Sequence, residues 1–104
     1  MSKQMPQAID LEKAVLGAIL LEHKALYMVS DKLNSGAFYK QSHQNIYRAI
    51  KKIDREGGNI DILTVTEKLK DEGLLGESGG PSYVSELVSK VATSAHIDHH
   101  AYII

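Results

Sequence analysis

Residues 37–53 constrain the fold more than any other part of this chain. An aromatic pair, Phe38-Tyr39, leads into a helical repeat in which Ile46, Ile50 and Ile53 share one side, with His43 and Tyr47 beside them. At about 100° per residue, the same turns carry Arg48, Lys51, Lys52 and Arg55 to the opposite side. One face belongs to a core and the other to solvent or a partner. Just upstream, Asn34-Ser35-Gly36 interrupts any preceding helix. The aromatic pair is therefore expected to plug the junction between two helices.

The same periodicity predicts further helices on both sides. After Pro6, with Asp10 as a cap, Leu11, Ala14, Ala18 and Leu21 recur at helical spacing, and Val15, Leu16, Ile19 and Leu20 widen the apolar face. Gly17 costs this helix about 1 kcal/mol against Ala, so a close backbone approach is the expected reason for it. Leu26, Val29 and Leu33 define a second helix from about His23, with Gly36 suited to the left-handed position after its end. Ser42 is a candidate cap for the third helix, and Gly57-Gly58 a stop. Asp61 caps a fourth helix through Ile62, Val65 and Leu69, with Thr64 and Glu67 offering a second capping-box register, and Gly73 closes it. Pro81 opens a fifth helix carrying Val84, Leu87, Val88 and Val91, and Ser94 begins a sixth along Ile97, Ala101 and Ile104.

No segment alternates in the two-residue period of a strand. The expected fold is all-α, a compact orthogonal bundle of about six short helices, with residues 1–8 a flexible tail and 9–104 the domain. At 104 residues the chain has room for one core. It has no cysteine, so packing replaces disulfides, and thiolate metal sites are excluded. No apolar run approaches the ~20 residues that cross a bilayer, and no signal-peptide layout opens the chain; a cytoplasmic protein without membrane contact is expected. The net charge of -1 hides a division, since residues 1–52 hold eight Lys/Arg against four Asp/Glu and residues 53–104 four against nine. A total so near zero argues against a dedicated nucleic-acid binder.

Several constellations invite a chemical reading. The Gly-rich run Gly73, Gly76, Gly79, Gly80 could cradle a phosphate, but no Lys follows it and Glu77 would repel the anion, so turn and cap is the better reading. His96 and His100 stand four apart beside His99 and Asp98, yet two imidazoles without a third ligand do not make a metal site. His43 lies on an apolar face with no Ser, Cys or carboxylate pair evidently placed to work with it, which fits a hydrogen-bonded core histidine better than a general base. Tyr39 and Tyr47 could stack on bases, although aromatics at this spacing usually fill cores. The stripe Arg48, Lys51, Lys52, Arg55 stays open as a solvated face or a surface for DNA or a partner.

Taken in order, Pro6, Ile9-Asp10-Leu11-Glu12, Val15-Leu16-Gly17-Ala18-Ile19-Leu20, Phe38-Tyr39, His43, Ile46-Tyr47, Asp61, Leu69, Gly73, Gly79-Gly80, Tyr83, Leu87 and Ala101-Tyr102 closely resemble the N-terminal domain of DnaB-type replicative DNA helicases. The resemblance spans nearly the whole chain. Within it, Gly17, Phe38, Tyr39, His43, Tyr47, Asp61, Gly79, Gly80 and Tyr83 are the motif positions. It implies a non-catalytic collar domain for residues 9–104, with no catalytic, cofactor or metal residues of its own. The parent would be a hexameric ring whose RecA-like C-terminal domain, absent here, binds ATP and Mg2+ and carries most contact with single-stranded DNA at the replication fork. Implied partners are the other helicase subunits and DNA primase. The last helix would be cut before the family's helical hairpin, which weakens self-association. The alternative is a small DNA-binding domain using the basic face of helix 3, with residues 57–60 as the turn of a helix-turn-helix.

Overall fold

The structure, a computed structural model, describes residues 6–29 and 35–95. Five α-helices and a 3-10 turn make up this part: α1 (Pro6–Leu21), α2 (Lys24–Val29), the turn Ser35–Ala37, α3 (Gln41–Arg55), α4 (Ile62–Asp71) and α5 (Gly80–Ala95). The fold is all-helical, and no strand occurs among the described residues. Ser94 lies inside α5 and starts no new helix. Leu33, Asn34 and the positions 96–104 of the expected sixth helix, with its histidines, lie outside the described residues.

α1 begins at Pro6, so Asp10 sits in the helix and does not cap it. Proline has no N–H to lose in a first turn, and this makes it a better start than an internal Asp. Gly36 falls in the 3-10 turn, where the chain bends without a left-handed cap. Elsewhere the stop signals act as expected. After α3, Gly57 N–H donates to Asp54 O (3.0 Å) and Gly58 N–H to Ile53 O (3.0 Å), with Gly57 at φ 78°. After α4, Gly73 N–H donates to Lys70 O (3.0 Å) and Leu74 N–H to Leu69 O (2.8 Å), with Gly73 at φ 71°. Both are Schellman closures, in which a left-handed residue returns two amides to the last helical carbonyls. α4 starts on a capping box: Thr64 N–H donates to Asp61 Oδ1 (2.9 Å) and Asp61 N–H to Thr64 Oγ1 (3.0 Å). This settles the register in favour of Asp61.

The core gathers Leu16, Ile19 and Leu20 from α1, Leu26 from α2, and Phe38. α3 adds Ile46, Tyr47, Ala49, Ile50 and Ile53; Ile60, Val65, Leu69, Val84 and Leu87 complete it. The buried side of α1 is thus narrower than its sequence suggests. Leu11 is 64% exposed and Leu21 48%, because α1 is apolar nearly all round and only its contacts choose which stripe is covered.

That choice is made at Gly17, where α1 meets α5. A Cβ at Gly17 would collide with the carbonyl oxygen of Leu87 and stand 2.6 Å from Val91 Cγ2. Backbone occupies the space, so it cannot yield by a change of rotamer. Gly17→Ala is expected to lower stability by about 1–3 kcal/mol through overpacking, despite the gain of about 1 kcal/mol that Ala gives an unobstructed helix. Urea unfolding checks the sign.

Candidate interaction surfaces and a buried polar network

Residues from α1, α3 and α5 converge on His43, which has no exposed surface. Its Nδ1 lies 2.7 Å from Glu12 Oε1 and its Nε2 lies 2.6 Å from the Tyr83 hydroxyl. A carboxylate only accepts, so Nδ1 carries the proton and Nε2 accepts the Tyr83 O–H. Burial pulls the imidazole pKa below its ordinary value; Glu12 opposes that, and Lys40 and Lys13 reinforce it. Burial also raises the Tyr83 phenol, as do the nearby Glu86 and Glu12 carboxylates. A phenol pushed up in pKa is a poor nucleophile, and its proton is already committed to His43. The chain of groups therefore locks three helices together.

Glu12 does more than hold His43. Its Oε2 accepts the Tyr39 N–H at 2.6 Å, and its Oε1 receives the Lys40 N–H at 3.4 Å. Lys40 is the N-cap of α3 and makes no side-chain cap bond. Ser42, the expected cap, is buried within the first turn. A carboxylate from α1 thus satisfies the backbone where α3 begins, at its positive dipole end. Sequence reading placed Glu12 in a motif but missed this role, because its partners lie 27 to 31 residues away.

The aromatic pair divides. Phe38 is buried and packs on Tyr47, with centroids 5.0 Å apart, whereas Tyr39 is 59% exposed and leaves the core. Its backbone amide is the part held in place. The ring of Tyr83 lies 5.8 Å from Lys40 Nζ and 6.0 Å from Lys13 Nζ, both within cation–π range. Gly79 permits this arrangement. It has φ 100°, and a Cβ there would stand 2.6 Å from Tyr83 Cβ.

The Gly-rich run is a turn. Ser78 N–H donates to Leu74 O (3.0 Å), Gly79 N–H to Gly76 O (3.1 Å) and Gly80 N–H to Leu75 O (2.9 Å), with Gly80 at φ 80°. These amides are occupied internally and are not presented to a phosphate.

The four basic residues of α3 do not form a uniform stripe. Arg48 and Arg55 are exposed, Lys51 leans over Tyr47 with Nζ 5.6 Å from the ring centroid, and Lys52 pairs with Glu72 at 2.6 Å. The helix after the 57–60 turn exposes Glu67 and Asp71, which suits a DNA recognition helix poorly. A second cluster was not foreseen. Tyr27 O–H donates to Asp54 Oδ1 at 2.7 Å, and His23 Nε2 lies 3.2 Å from the same atom, joining α2 to α3. Those bonds, Tyr27's first, lower the Asp54 pKa. The i, i+4 spacing of His23 and Tyr27 was its signal, but Asp54 is remote in sequence.

Among the described residues, no group of three His, Cys, Asp or Glu could hold a metal ion, and no helix is long and apolar enough to cross a membrane. The described residues thus form a small all-helical domain pinned by an internal carboxylate–imidazole–phenol chain. Residues 4–104 match the family described as DnaB-like helicase N terminal domain, and the chain belongs to that family. Over 99 residues it is 44% identical to the replicative DNA helicase DnaB of Rhodothermus marinus and 42% identical to the replicative DNA helicase DnaC of Bacillus subtilis. Each match covers 95% of this chain but only 10% and 22% of those proteins. The crystal structure of the N-terminal domain of DnaB helicase from Mycobacterium tuberculosis superposes with a TM-score of 0.77 at 36% identity, covering 85% of this chain and 60% of that one.

The depressed His43 pKa has a measurable consequence. Above the ordinary imidazole value of 6.5 neither state binds the proton; below it the unfolded chain takes one that the folded chain resists. Stability should therefore be level above that pH and fall on acidification through it. In His43→Gln this fall should shrink relative to the wild type, measured as the difference in urea midpoint between pH 7.5 and pH 5.5, roughly one unit either side of the ordinary value.

Proposed function

We propose that this chain is the non-catalytic N-terminal assembly and docking domain of a replicative DNA helicase. The observation that carries the reading is the family match across residues 4–104, with relatives that are themselves replicative helicases. In this reading the parent is a hexameric ring that unwinds DNA at the replication fork, these domains form its collar, and DNA primase docks there. ATP and Mg2+ belong to a RecA-like C-terminal domain outside this chain. The residues present here do not suit that nucleotide: the amides of Ser78, Gly79 and Gly80 are used within their own turn, and Glu77 adds a negative charge. Single-stranded DNA is engaged mainly by that C-terminal domain, and the exposed Arg48 and Arg55 are a minor surface. The chain acts through shape, holding a surface in place for its neighbours.

Titration with DNA primase is expected to give saturable binding, weaker than to a protein extended through the helical hairpin. Labelled single-stranded DNA should show no binding that salt or Arg48→Glu/Arg55→Glu abolishes. The reverse pair of results, no primase binding with salt-sensitive DNA binding lost in that variant, would replace this reading with a DNA-binding domain using α3.

A further inference from the structure

A groove of about 360 Å³ runs between the end of α3 and α4, floored by Ile53 and Gly58 and edged by Leu63 and Glu67. A second, of about 280 Å³, lies between the end of α1, the start of α4 and α5, and includes Leu21 and Val88. Leu63 lines both, so the two border the same side chain. It is 68% exposed, and Leu21, at the far end, is 48% exposed. Neither leucine is needed for the core, and together they give an apolar line with room beside it. Gly58 helps to keep that room: a side chain there would begin 3.1 Å from Ile53 Cγ2.

The charges along this line are one-sided. Lys68 is the one cation of the first groove, and Glu56 already holds it at 2.9 and 3.1 Å. Glu67 and Asp71, one turn apart on α4, enter no ion pair among the described residues; Asp71 acts on Lys68 only at longer range, so Glu56, Glu67 and Asp71 against Lys68 leave this border net negative. An apolar strip with a net-negative border fits a helix-in-groove ligand with leucine-type anchors on one face and Lys or Arg flanking them. A second copy of this chain fits less well, since a two-fold contact centred on this strip would bring two net-negative borders together.

We propose that the Leu21–Leu63 strip and its acidic border are a docking site for a basic amphipathic helix of a partner protein. The site is separate from the basic face of α3, and the proposal does not depend on the primase reading. Leu63 is the second residue of α4 and solvent-facing, so Leu63→Asp should keep the fold and favour the helix dipole. Asp71 is the last residue of α4, where lysine is also favoured.

The test uses this chain, labelled for NMR, with a synthetic helical peptide of leucine and lysine about 15 residues long, and the same peptide with glutamate in place of lysine. The lysine peptide is expected to bind with shifts confined to α4, the end of α3 and Leu21, and to lose affinity as salt rises. Affinity should fall about tenfold, the equivalent of 1.4 kcal/mol, in Leu63→Asp and again in Glu67→Lys/Asp71→Lys. Circular dichroism and thermal melting confirm that each variant is folded. Equal binding of the glutamate peptide, unchanged affinity in Leu63→Asp, or shifts centred elsewhere would overturn the proposal. So would a dimer in sedimentation that Leu63→Asp dissolves, because the strip would then serve a second copy.

Discussion

The carboxylate of Glu12 organises this fold. It is the acceptor for the imidazole of His43 and for the backbone amides of Tyr39 and Lys40, so one side chain of α1 fixes both where α3 begins and how it is turned. The second imidazole nitrogen then accepts from Tyr83 and brings α5 into the same arrangement. A buried polar group without partners is costly, so each member of this chain holds the others to one geometry. Apolar packing drives the helices together, and hydrogen bonds add directions that it lacks. The polar chain sets those directions for α1, α3 and α5.

Gly17 complements it. The Glu12 network governs α1 against α3 and the first turn of α5, and the bare backbone at Gly17 lets the carbonyl of Leu87 approach α1 further along. With two such fixed points the outer surface follows. Leu21 is left lining one groove, Leu63 lining that one and its neighbour, and Glu67 and Asp71 lining the neighbour. The surface charge is consequently uneven, with arginines on α3 and carboxylates on α4, on either side of the 57–60 turn.

Much of this was legible from local pattern. The Ile46, Ile50, Ile53 face, the Asp61 cap and the stops at Gly57 and Gly73 each depend on residues within one or two turns, where spacing in sequence equals spacing in space. His43 could be recognised as a core histidine because a titratable ring on an apolar face must find partners. Those partners were beyond reach of pattern. Glu12 and Tyr83 are 31 and 40 residues from it, and many polar residues were equally eligible. Tyr39 and Leu11 failed for a related reason: periodicity reports that a residue is apolar, and neighbours decide whether it is covered.

The sequence alone therefore determined that the chain is helical, where most of its helices stop, which family it resembles, and that one face of α3 is core and the other basic. Those properties rest on backbone propensity and short-range hydrogen bonds, which a linear string encodes directly. Which stripe of α1 is buried, what holds the start of α3, which lysines are already paired and which leucines remain exposed became visible only in the packed helices. Each of these is a contact between residues far apart in the chain, chosen by the mutual fit of whole helices.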